Sequence, residues 1–186
     1  MTAARRAIVE HGLASVRIRD VADSAGMAPG SVTYYFRELD ELFQEVFADA
    51  VERFSRLRRL ASEDLEDPRE RLVATIRSGL PSGPDDELCC LLYEFAPLAR
   101  RRRGDADLRS ALYEGQVDLY RSLLESGAAA GVFTLRAPAE ETACNLVALE
   151  DAYGYHVITG TSITRERAER HLTGYAATAT GSDLAV

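Results

Sequence analysis

Between Ser15 and Phe43 the chain reads SVRIRDVADSAGMAPGSVTYYFRELDELF, and this stretch restricts the possible folds more than any other. Two short helices are predicted around a turn centred on Gly26. Ile18, Val21, Ala22 and Ala25 recur at helical spacing, which gives the first helix one apolar stripe. Gly26 ends that helix, because glycine enters the left-handed conformation without steric cost. Pro29 suits the first turn of the next helix, since its φ is already helical and its missing N–H is not needed there. In this second helix Val32 and Phe36 are four apart and face inward. Gly30, Thr33 and Arg37 share the opposite side, with Ser31 and Tyr35 on its flanks and the Tyr34 ring turned inward. Two small helices, a tight turn and an outer face of small polar residues describe a helix-turn-helix, the shape that enters a DNA major groove. The alternative is an ordinary helical hairpin inside a bundle. The exposed hydroxyls and the two arginines Arg17 and Arg19 favour DNA.

Charge decides where DNA could bind. The 186 residues carry a formal charge of −8, which excludes a general nucleic-acid-coating role. Residues 1–37 hold five arginines against Glu10, Asp20 and Asp23, a balance of +2 that leaves −10 for the remainder. That acidity would keep phosphate near the N-terminal face only. All 22 basic residues are arginine and Asn145 is the one asparagine, a pattern that we read as GC-rich, bacterial coding.

Other classes find little support. Three cysteines, two of them adjacent (Cys89, Cys90), give neither a disulfide framework nor metal-ligand spacing. Histidines at 11, 156 and 171 form no metal site, no cofactor is implied, and no nucleophile, phosphate-loop or zinc-protease motif points to an enzyme. No signal sequence opens the chain, and charged residues break each apolar stretch before the ~20 residues of a membrane span. A soluble, cytoplasmic protein that does not engage a membrane is expected.

The rest reads as helix after helix. A first helix over 3–11 places Ala4, Ala7, Ile8 and His11 on one side. Residues 39–61 carry Leu39, Leu42, Phe43, Val46, Phe47, Ala50, Phe54 and Leu57 at i, i+3, i+4 spacing, a strong amphipathic signal. Further helices are predicted over about 68–79, 85–101 (broken by Gly104), 105–128, 138–159 and 165–178, the last capped by Thr164. TGSDLAV then reads as a frayed tail. No segment alternates long enough for a sheet. The fold class is all-α, with a helix-turn-helix domain over 1–45 and a helical bundle over 46–186.

The run GMAPGSVTYYFRELDELF, with Gly12 closing the first helix and RDVADSAG forming the second, resembles the DNA-binding signature of the TetR family of regulators. The likeness is specific over about residues 3–47, and 139–160 loosely resemble the BetI-type C-terminal region. It implies an all-α homodimer that binds a palindromic double-stranded operator through N-terminal helices and holds a small-molecule inducer in its C-terminal bundle. A helical ligand-binding module without operator binding is the second reading. By the resemblance, Arg19 reaches a base edge, where its planar fork fits guanine O6 and N7. A salt bridge to Asp23, four residues on, is the other role open to it. Pro29 and Gly30 sit where the recognition helix comes closest to the bases. Ser31, Thr33 and Tyr35 are placed for phosphate, Arg17 adds a phosphate contact, Tyr34 ranks lower and Arg37 supplies charge. Ala28 replaces the usual polar N-cap, and Leu39 stands where the family commonly has a lysine.

In the bundle, polar and aromatic residues concentrate around Tyr93 and between Asn145 and His156. Glu150 and Asp151 interrupt an apolar pattern that includes Tyr153. A carboxylate facing the interior must be paired or neutral, and a cationic ligand held by it and by tyrosine faces would satisfy it. Otherwise the acids lie at a dimer interface or in solvent while the aromatics fill core. Tyr113 and Tyr120, seven apart, share a face that could line the same cavity. The last two helices each present an apolar stripe, so a four-helix dimer interface is expected there.

Overall fold

The computed structural model describes residues 1–36, 38–97 and 103–184. Among these residues there are nine helices and no strand: α1 (Thr2–His11), α2 (Ile18–Ala25), α3 (Pro29–Tyr35), α4 (Leu39–Glu63), α5 (Pro68–Gly79), α6 (Glu87–Phe95), α7 (Arg103–Ala129), α8 (Ala139–Ile158) and α9 (Arg165–Thr180). None of them is long and apolar enough to cross a membrane. They form two compact units, Met1–Arg53 with Glu87–Ser110, and Phe54–Asp86 with Ala111–Val186.

In the first unit the buried apolar residues are Ala4, Ala7 and Ile8 of α1, Val21 and Ala22 of α2, Val32 of α3 and the Leu42-Phe43-Val46-Phe47 stripe of α4. Phe95 of α6 stacks on Phe47, ring centres 4.9 Å apart, and meets Phe43 edge-on. Polar contacts close the unit. Arg5 pairs with Asp49 at 2.7 Å, and the Glu94 carboxylate accepts the Leu13 backbone N–H at 3.1 Å. His11 and Ala25, assigned to buried stripes from spacing, are exposed, because each lies in the last turn of a short helix.

The second unit is built on Leu72 and Ile76 of α5, Tyr120 and Leu124 of α7, Leu146 and Val147 of α8, and Leu172 and Ala176 of α9. Asp67 accepts from the Arg69 N–H to cap α5, and Thr164 accepts from the Arg167 N–H to cap α9.

Three expectations need correction. Gly104 does not break a helix but lies in the first turn of α7, and α6 ends at Phe95 rather than continuing to 101. Residues 98–102, which include most of the Arg100–Arg103 run, lie outside the described residues. The tail is not frayed as far as Leu184, which is 2% exposed within the core; Thr134 donates to the Thr180 carbonyl at 2.7 Å and Arg69 to the Ser182 hydroxyl at 2.9 Å.

Candidate DNA-binding face and candidate ligand site

The first site starts at a turn. Gly26 has φ 65°, in the left-handed region, and its N–H returns to the Ala22 and Asp23 carbonyls to close α2. Asp20 accepts the Arg17 backbone N–H at 2.7 Å and fixes the start of the same helix. α3 then opens on Pro29 without a side-chain cap at Ala28. Val32 anchors it to the core, and Phe36 is half-buried. The outward side carries Pro29, Gly30, Thr33, Tyr34 and Tyr35, all exposed, with Ser31 partly so. The Thr33 hydroxyl donates to the Gly30 carbonyl at 3.1 Å, which leaves its oxygen lone pairs outward. Arg17 and Arg19, at the start of α2, are also exposed, and among the described residues no ion pair ties Arg19 to Asp23. Arg37 lies outside the described residues.

Tyr34 departs from expectation. Its ring does not turn inward but is 82% exposed, and it meets the 72% exposed Tyr35 ring edge-on at 5.2 Å. Val32 alone fills the inward position of this seven-residue helix, so no apolar space is left for a second large ring. Two adjacent tyrosines, small neighbours and two arginines thus form a surface able to donate hydrogen bonds to phosphate and base edges.

The second site is a buried polar cluster in the second unit. Arg58 of α4 forms a two-pronged ion pair with Glu150 of α8, at 2.8 and 3.0 Å. Its guanidinium also donates to the Gln116 side-chain oxygen at 2.7 Å and to the Thr75 carbonyl at 3.5 Å. The Tyr120 hydroxyl donates to Glu150. Phe54 and Tyr120 lie under the guanidinium, 5.5 and 5.3 Å from ring centre to cation. Burial alone would lower the Arg58 pKa, but the Glu150 charge and the Tyr120 contact raise it above the ordinary arginine value. Burial, with Glu150 beside it, also pushes the Tyr120 phenol up. Arg58 therefore stays charged. Gly79 makes the cluster possible, since a Cβ there would overlap the Glu150 carboxylate and the Arg58 guanidinium.

Residues 1–46 match the family model of bacterial regulatory proteins, tetR family. A transcriptional regulator from Saccharomonospora viridis, solved in complex with choline, superposes with a TM-score of 0.87 at 24% identity, covering 94% of this chain and 91% of that one. A TetR transcription regulator from Haloarcula marismortui gives 0.85 at 24% identity over 96% and 94%. A TetR-family regulator from Rhodococcus gives 0.81 at 21% over 96% and 95%. The N-terminal 46 residues thus match the TetR family model, and the whole chain shares the fold of these regulators. A search of curated proteins by sequence finds no match.

Within the TetR framework, the expected ligand residues divide. Tyr120 and Glu150 meet in the cluster. Glu150 lies neither at an interface nor in solvent, because Arg58 supplies its counter-charge from within. Asp151 is half-buried, Tyr113 is 43% exposed, and Tyr153 stacks on His171 at 5.6 Å. Tyr93 belongs to the other unit, on α6. Sequence reasoning missed Arg58, Gln116 and Gly79. Arg58 had a readable signal: it falls four residues after Phe54, on the continuation of the Phe47-Ala50-Phe54 stripe. Leu57, chosen for its apolarity, is 48% exposed instead.

Proposed function

We propose that this chain is a one-component transcriptional regulator that represses by binding a palindromic operator as a homodimer, with release by a small-molecule inducer. The single observation that carries this reading is the exposed face of α3, where Gly30, Thr33, Tyr34 and Tyr35 stand clear of the core beside Arg17 and Arg19. Arg19 serves as the reader of guanine, Pro29 and Gly30 permit close backbone approach, and Ser31, Thr33, Tyr34, Tyr35, Arg17 and Arg37 hold phosphate. The functional division is 1–45 for DNA and 46–186 for ligand and dimerisation, the latter through α8 and α9. Two copies place their α3 helices about one DNA turn apart, ~34 Å, and an inducer acts by favouring a spacing that no longer fits.

The choline in the Saccharomonospora regulator makes a cationic ligand the first comparison. In this chain Arg58 already occupies the place beside Glu150 and over the Tyr120 ring that such a cation would take. A cation therefore has little to gain in the second unit. The remaining candidates for ligand contact, Tyr113, Asp151 and Tyr153 there and Tyr93 in the first unit, carry no comparable buried charge.

The test is a gel shift with DNA from the gene's own upstream region at increasing salt. Phosphate neutralisation predicts a steep loss of affinity, with a log–log slope of about −0.9 per phosphate contact. A protein that shifts no DNA at low salt would leave the second reading, a helical ligand-binding module without operator activity.

A further inference from the structure

We propose that a groove lined by α4, α5 and α7 in the second unit binds a small organic monocarboxylate, and that this anion is the effector. The proposal deepens the ligand-responsive part of the regulatory reading and rests on it. Two cavities adjoin there. One of about 270 Å³ is lined by Ser55, Arg58, Arg59, Gln116 and Leu119, among others. The other, of about 320 Å³, is lined by Arg56, Arg59, Ser62, Arg71 and Leu119 with Glu63. Arg59 and Leu119 border both, so the cavities run on from one another along α4.

Charge selects the ligand. With the Arg58 charge already met by Glu150, Arg56, Arg59 and Arg71 face Asp118 and Glu63 across these two cavities, in a chain of net charge −8. Asp118 is already paired with Arg121 at 2.7 Å. A mobile cation entering here meets a local excess of positive charge, whereas an anion is attracted.

Hydrogen bonding makes the same selection. Glu150, Gln116 and the Thr75 carbonyl engage only the terminal nitrogens of Arg58. Its Nε–H is buried and has no partner, and the Nε–H of Arg71 in the adjoining wall is likewise buried and unpartnered. A guanidinium has five donors and no acceptor, so only an acceptor can complete it, and a carboxylate oxygen would give each open Nε–H a charge-assisted hydrogen bond. Ser55 and Gln116 supply further polar contacts, while Leu60 and Leu119 offer apolar cover for a short hydrocarbon or ring.

The proposal is tested by calorimetric titration of the full chain with sodium acetate, hexanoate and benzoate, with tetramethylammonium chloride as the cationic probe. At least one carboxylate is expected to bind saturably below about 10 mM, with tetramethylammonium giving no binding heat. Arg59→Gln, at an exposed position, and Arg71→Gln are each expected to weaken that binding about tenfold without lowering the melting temperature. Arg136→Gln, outside both cavities, is expected to bind as the parent does. Absence of saturable carboxylate binding, preference for tetramethylammonium, or parent-like affinity in both groove variants would overturn the proposal. Operator binding is read separately, by gel shift without carboxylate. A protein that binds carboxylate but no DNA would sink the regulator reading alone, and one that binds DNA but no carboxylate would sink this site alone.

Discussion

Arg58 and Glu150, 92 positions apart, form a bidentate ion pair whose side chains are only 1% and 2% exposed. Removing one member strands a charge in the interior, which costs about 3 to 5 kcal/mol. Arg58→Met should therefore lower unfolding free energy by about that much, while Arg58→Met combined with Glu150→Leu should recover much of it. Urea unfolding followed by circular dichroism measures both. Equal losses in the single and double variants would mean that the pair is not coupled.

The pair also sets a pH dependence. Burial raises the Glu150 carboxyl above its ordinary value of 4.5, with Arg58 and Tyr120 opposing the rise. The folded chain thus binds this proton more tightly than the unfolded chain. The resulting stability is complete below the unfolded value and is lost as pH rises through the folded one. Urea unfolding at a series of rising pH values, starting below the ordinary carboxyl value, should show this decline in the parent and a flatter course in Glu150→Gln.

Two glycines should respond in opposite directions to alanine. At Gly79 the added methyl overlaps Glu150 and Arg58, so Gly79→Ala is expected to destabilise by about 1 to 3 kcal/mol. At Gly115, within α7, nothing lies within 4 Å of the new Cβ, and alanine is the better helix former. Gly115→Ala should stabilise by about 0.5 to 1 kcal/mol. Melting curves of the two variants decide it.

Tyr34 and Tyr35 support no core, so replacing both by alanine should change stability by less than about 0.5 kcal/mol each. Operator affinity in a gel shift should nevertheless fall about tenfold or more. A variant that binds DNA as tightly as the parent would remove the tyrosines from the interface.

The helix-turn-helix was legible because its signals are local. Gly26 and Pro29 punctuate the chain, and Val32 is one clear inward anchor. Tyr34 was misplaced because a seven-residue helix has too little periodicity to assign a flank. The buried cluster was half legible. Glu150 interrupted an apolar run and required a partner, but nothing local indicates that a residue 92 positions away supplies it. Leu57 and Arg58 are adjacent, and hydropathy favoured the wrong one. The Phe54 spacing favoured the right one, since an arginine can complete an apolar stripe when a buried carboxylate receives its head. The proposed dimer interface was read only from apolar stripes of α8 and α9, whose partner would be a second copy.

Selection of bound sequences from a random DNA pool tests the central claim most directly. Recovered sequences should share two inverted half-sites with centres ~34 Å apart, each holding a guanine whose enrichment weakens in Arg19→Ala. Flat enrichment, or a guanine preference untouched by Arg19→Ala, would contradict the assignment of this face to operator reading.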